Sequence, residues 1–256
     1  MPRQQQNAHA TNDSRPPNNG PFPYADYIQA KQAIQKALHG QRFYGLVTGP
    51  SGTGKTCLVR DISADIDRGH HHIIYVSSSR ASLISIVRLL ALTFHVNPHR
   101  SHLETIHTLG EAIQSHATHL LLWLDEADQL DLDVLQQLRM LPEASPSAEP
   151  LMSIVLSGLS DLVNNLNAPS MFPLKRRISL RCTLAGLRRD ELDPFIEHRF
   201  GTRDAQRIPP DVRNELFERT QASPALIDQV VRHALAQSND RINTETLHAI
   251  FDIQGL

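Results

Sequence analysis

Hydrophobic positions along the chain follow two rhythms that alternate. Compact apolar runs at Phe43–Thr48, Ile73–Ser77, Leu120–Leu124, Met152–Leu156 and Arg177–Leu184 have the length and composition of strands. Between them, apolar residues recur every three or four positions, the spacing of one helix face. This pattern covers Lys55–Asp67, Ser82–His95, His102–Ser115 and Leu132–Leu141. An earlier helix carries Ile28, Ala30, Ala33, Ile34 and Leu38, and Gly40 stands where a helix C-terminal glycine would. Strands alternating with helices imply a parallel sheet covered on both faces. Pro142–Pro150 holds three prolines and reads as a loop. After Gly186 the strand pattern stops. Arg189–Phe200, Pro210–Thr220, Pro224–Gln237 and Thr244–Phe251 read as helices, two of them opening on proline, whose fixed φ suits the first helical turn. The predicted organisation is a tail over 1–23, an α/β core over 24–186 and a small all-helical domain over 187–256.

Composition sharpens this picture at a few points. Residues 1–23 are rich in Asn, Gln and Pro and poor in aliphatic side chains, so they cannot offset their own ordering entropy and read as disordered. Aromatic residues make up only 5% of the chain, which leaves the core to Leu, Ile, Val and Ala. A formal charge of −2 and a pI near 6.7 argue against a strongly basic nucleic-acid binder in the monomer. They leave room for a basic stripe formed on assembly. Cys57 and Cys182 have no zinc spacing and are too few for a disulfide framework, which suits a reduced, cytoplasmic setting. No apolar run approaches the roughly 20 residues that span a bilayer, so no membrane association is expected.

The chemistry concentrates at two places. Gly49-Pro50-Ser51-Gly52-Thr53-Gly54-Lys55-Thr56 fits the phosphate-loop pattern G-x-x-x-x-G-K-[ST] in full, with an apolar strand before it and an amphipathic helix after it. The three glycines permit backbone angles that let successive N–H groups curl around a phosphate. The following helix adds the positive end of its dipole. Lys55 supplies an ammonium for the β- and γ-phosphates of ATP, and the Thr56 hydroxyl is a hard oxygen ligand for Mg²⁺. The second place is Leu120-Leu121-Leu122-Trp123-Leu124-Asp125-Glu126, an apolar strand ending in two carboxylates. Asp125 can hold the Mg²⁺ shell together with Thr56, and Glu126 can orient and partly deprotonate an attacking water. Phosphoryl transfer needs those two roles more than covalent chemistry.

On these motifs the chain resembles the AAA+ ATPases, and more narrowly the ExeA/TniB/TnsC group of transposition helpers and secretion-associated ATPases. Ile154–Leu162 and Leu174–Ile178 add weaker support for the subgroup, and the likeness covers about residues 24–237. The resemblance implies an AAA+ core with a helical lid, ATP hydrolysis and a homo-oligomer. It implies that Ser157 is a polar sensor of the γ-phosphate or the water. It implies that Arg177, or else Arg176, is a finger offered to a neighbouring subunit's ATP. One departure stands out: where the group carries a lid arginine, this chain has Ser223-Pro224-Ala225. The expected function is an ATP-driven oligomeric switch serving transposition, with duplex DNA and a transposase-type protein as partners. A secretion-associated ATPase with a protein partner and a weakly hydrolysing nucleotide-binding scaffold are the rival readings.

Other signals read more plainly. His70-His71-His72 suits a solvated turn better than a metal site, and Cys57 suits core filler. The serine-rich loop Ser77–Ser82 with Arg80 fits contacts to a duplex and fits a helix cap equally well.

Overall fold

The computed structural model describes residues 16–77, 81–116, 118–143, 150–237 and 240–255. These form two compact units, one over Pro23–Gly186 and one in which residues 16–22 join 187–255.

The first unit runs α1 (Ala25–Leu38), β1 (Tyr44–Thr48), α2 (Lys55–Asp65), β2 (His71–Ser77), α3 (Leu83–Thr93), α4 (His102–Ser115), β3 (His119–Asp125), α5 (Leu132–Gln137), α6 (Met140–Glu143), β4 (Met152–Gly158), α7 (Asp161–Leu166), α8 (Phe172–Lys175) and β5 (Ile178–Thr183). The strands make one parallel sheet in the order β2-β3-β4-β1-β5. The three inner strands are buried along their whole length. This is why β3 reads as an unbroken leucine run rather than an alternation. The outer strands β2 and β5 mix buried and exposed positions. Because all strands point the same way, their C-terminal ends share one edge. Register places Thr48 beside Gly158 and Ser77 beside Asp125 on that edge. In open α/β sheets this is the edge where ligands bind.

Several boundaries differ from the sequence reading, each for a local reason. The helix expected over Leu132–Leu141 is broken into α5 and α6, since Pro142 has no N–H to give the Leu138 carbonyl. β2 begins at His71, so the histidine triplet is not a solvated turn. His71 pairs with His119 in the sheet, is buried, and reaches the Leu38 carbonyl at 3.2 Å; only His70 stays on the turn, bonded to Asp67. Cys57 is exposed and not core filler. The short helices α7 and α8 are too brief to leave a periodic signal.

The second unit holds α9 (Leu192–Ala205), α10 (Pro210–Arg219), α11 (Pro224–Gln237) and α12 (Thr244–Gln254). Gly201 interrupts α9 with a φ of 78°, a conformation that a side chain would resist. Residues 16–22 belong to this unit and correct the expected tail boundary. The Asn18 N–H bonds the His198 carbonyl at 2.8 Å, and Phe22 meets Phe195 edge to face at 5.5 Å. Aromatic burial is what anchors this segment in an otherwise polar stretch. The rest of the tail, 1–15, lies outside the described residues, as do Ser78, Ser79 and Arg80 of the serine-rich loop and 144–149 of the proline-rich loop.

Candidate nucleotide site

The loop after β1 turns sharply enough to require its glycines. Gly52 and Gly54 have φ of 79° and 96°. A Cβ on Gly49 would stand 2.1 Å from the Leu184 carbonyl oxygen, so no larger residue fits there without moving the backbone. The loop is braced from within and without. Thr53 Oγ1 donates to the Pro50 carbonyl at 3.0 Å, and the buried Tyr24 hydroxyl donates to the Thr53 carbonyl at 2.7 Å. Pro50 and Ser51 form the exposed tip. Lys55 Nζ donates to the carbonyls of Gly49 and Pro50, each at 2.8 Å, which curls the lysine back over the loop. Burial lowers its pKa, while the Asp125 and Asp128 carboxylates work in the opposite direction.

Asp125 at the end of β3 is the centre of the arrangement. It is only 3% exposed, and a carboxylate so placed must be hydrogen-bonded to remain charged. Oδ2 accepts from Thr56 Oγ1 at 2.6 Å and from the Tyr75 hydroxyl at 2.9 Å. Oδ1 accepts from Ser157 Oγ at 2.7 Å and from the Glu126 N–H at 3.1 Å. Burial alone would raise the carboxyl pKa; the donors of Thr56, Ser157, Tyr75 and Glu126 together outweigh it and hold it below the usual carboxylate value. Glu126 itself has an exposed side chain and a left-handed backbone with φ of 54°. For a residue with a Cβ this conformation costs about 1–2 kcal/mol. It swings the chain out of the strand immediately after Asp125. Asp128 then ties the turn to the neighbouring strand: its Oδ1 accepts the Leu159 N–H at 2.9 Å and would lie 2.3 Å from any Cβ on Gly158.

The fold therefore unites Thr56, Asp125, the Glu126 backbone and Ser157 through direct hydrogen bonds, with Lys55 beside Thr56 at the start of α2. Ser157, the expected sensor, lies at the end of β4. It is fully buried, its oxygen accepts the Trp123 indole N–H at 2.7 Å, and its own proton goes to Asp125. It is thus hydrogen-bonded both to the indole and to the carboxylate, which it supports. Arg177 is not part of this cluster. It pairs with Glu143 of α6 and donates to the Pro173 carbonyl at 3.1 Å, while the Arg176 guanidinium lies over the Phe172 ring at 5.6 Å. In the helical unit, Ala225 falls in the first turn of α11, and Arg232 is engaged by Asp228 at 2.9 Å and by the Phe200 ring.

Sequence reasoning missed Tyr75, Trp123 and Asp128. Tyr75 and Trp123 face one another in the β2–β3 register, and no spacing in the linear chain announces it. Among the described residues no cluster of three or more His, Cys, Asp or Glu side chains could hold a metal. The oxygens of Thr56 and Asp125 nevertheless suit Mg²⁺, which prefers hard oxygens, keeps several waters and needs few protein ligands beside substrate phosphates.

Comparison with known proteins agrees with this fold. The AAA domain family matches residues 38–166. General secretion pathway protein A of Aeromonas hydrophila is 23% identical over 229 residues, which is 82% of this chain and 41% of that protein. The chain thus spans less than half of that relative. Among solved structures, Cdc6p from Pyrobaculum aerophilum superposes with a TM-score of 0.70 at 17% identity, covering 93% of this chain and 69% of that one. The ORC1 protein of Aeropyrum pernix in complex with DNA gives 0.59 at 17% identity, over 89% of this chain and 64% of that one. At such identities the likeness to solved structures is one of fold.

The buried position of Ser157 has a measurable consequence. Ser157→Ala leaves the Trp123 N–H without an acceptor and takes one donor from Asp125. It should destabilise the chain by about 1–3 kcal/mol, the cost of an unsatisfied buried polar group, as read by urea denaturation. An unchanged unfolding midpoint would mean that the hydroxyl is not held as described.

Proposed function

We propose, because the chain belongs to the AAA domain family of P-loop ATPases, that it binds ATP with Mg²⁺, hydrolyses it, and lets nucleotide state govern the assembly of identical subunits. The observation that carries this reading is the 2.6 Å contact between Thr56 and Asp125, which joins the phosphate loop to the acidic strand end. The backbone N–H groups of Gly49, Ser51, Gly52, Thr53 and Gly54 are suited to cradle phosphates, with Pro50 shaping the loop between them. Lys55, now on two loop carbonyls, has a short move to phosphate oxygens. Thr56 would be the metal ligand and Asp125 the acceptor for the metal's water shell. Bound there, the ion would neutralise charge on the transferring phosphoryl group. Glu126, exposed beside the buried Asp125, is the group free to orient a water. Ser157 acts through Asp125 as a positioning residue. Arg177 would serve a neighbour's ATP on leaving Glu143.

The finer reading is a DNA-associated transposition helper, working with duplex DNA and a transposase-type protein in the cytoplasm. Its support is the motif combination at Ile154–Leu162 and Leu174–Ile178, together with a fold shared with a protein solved on DNA. A secretion-associated role is the second reading, favoured by the similarity to General secretion pathway protein A. No helix among the described residues is long and apolar enough to cross a membrane. The absence of an arginine at Ala225 keeps a slowly hydrolysing scaffold as a third reading.

Two experiments test these levels separately. For the partner, duplex DNA should bind in the presence of ATP, not ADP, and lose affinity steeply with salt; DNA binding absent under both nucleotides would favour the protein-partner reading. For the mechanism, Arg177→Ala and Glu126→Gln should each be inactive, with Arg177→Ala losing up to about 10³-fold in hydrolysis. Mixing the two should restore activity, because some subunit boundaries then hold an intact Arg177 facing an intact Glu126. If mixed oligomers form and stay inactive, Arg177 does not act in trans, and Arg176 is the next residue to exchange.

A further inference from the structure

A carboxylate offers about four lone-pair positions, two on each oxygen. Asp125 has all four engaged, by Thr56 and Tyr75 on Oδ2 and by Ser157 and the Glu126 N–H on Oδ1. A hydrated divalent cation needs at least one of these positions for a water of its shell to donate to. One donor therefore has to leave when the metal arrives.

Three of the four are poorly placed to do so. The Glu126 N–H belongs to the backbone of the turn. Ser157 is fully buried and pinned by the Trp123 indole. Thr56 can give a lone pair to a metal while its proton stays on Asp125. Tyr75 is better placed to leave, although its hydroxyl also meets Ser77 and Thr56. It sits on the outer strand β2, is 38% exposed, and borders an open groove beside Arg60 and Arg68. Its hydroxyl can leave Asp125 for solvent without opening the core.

We infer that Tyr75 is a positioning residue that competes with the metal's water shell for Asp125, holding the carboxylate in place until a divalent cation displaces it. The inference rests on the reading of Thr56 and Asp125 as the metal side of a nucleotide site. It assigns Tyr75 the task of setting how much free cation the site requires.

The test uses the full chain. Mn²⁺ is titrated into protein saturated with ADP, and free Mn²⁺ is followed by electron paramagnetic resonance for wild type and Tyr75→Phe. Phenylalanine keeps the ring and removes only the hydroxyl. ADP affinity in EDTA is measured alongside, and should be the same for both proteins. Tyr75→Phe should bind Mn²⁺ about three- to tenfold more tightly, the scale of one net hydrogen bond. Equal or weaker Mn²⁺ binding, beside a wild type that binds Mn²⁺ with ADP, would overturn the competition and leave the nucleotide site standing. A wild type that binds Mn²⁺ no better with ADP than without would overturn both.

Discussion

The hydrogen bonds that converge on Asp125 are the constraint from which the rest of the site follows. A carboxylate at the end of a strand buried on both faces is tolerable only if every lone pair finds a donor. The donors come from different parts of the chain: Thr56 at the start of α2, Tyr75 on β2, Ser157 on β4, and the backbone of Glu126. The strand order β2-β3-β4 puts Tyr75 and Ser157 on either side of Asp125. Thr56 reaches it because the loop after β1 opens on the same edge of the sheet. Removing the carboxylate would strand four donors at once and uncouple the phosphate loop from the acidic strand end.

The loop itself obeys a second, steric constraint. Gly49 passes within van der Waals range of the Leu184 carbonyl, and Gly158 does the same with Asp128. Gly158 stands beside Thr48, the residue before Gly49, with β1 and β4 in register, so the edge where phosphate chemistry would occur is also one where backbone packs closely. Lys55 lies over its own loop, held by two carbonyls. A lysine held by weak neutral acceptors, with its charge partly desolvated, is ready to exchange them for anionic oxygens.

What the sequence made legible was local. The phosphate loop and the Asp125-Glu126 pair are contiguous motifs, and the central leucine run of β3 reports burial directly. What it hid depends on register. Trp123 reaches Ser157, thirty-four residues away, only because β3 and β4 are neighbours; that pairing gives the expected sensor residue a buried indole partner beside Asp125. Tyr75 joins the site only because β2 flanks β3. The histidines at 71 and 72 read as polar turn residues until pairing with His119 and Leu120 draws them into the sheet. Residues 16–22 gave a polar composition, yet the Phe22 ring and the Asn18 backbone bind them to the helical unit.

The central claim is that Asp125 couples metal to nucleotide, and Asp125→Asn examines it most directly. The amide keeps the shape, and the hydroxyls of Thr56 and Tyr75 can reverse to accept from it, so the fold should persist. Calorimetric titration with ATP in EDTA and then in Mg²⁺ gives the enhancement due to the ion. The account predicts that Asp125→Asn binds ATP in EDTA about as well as wild type and loses the Mg²⁺ enhancement. An enhancement as large as that of wild type would contradict it.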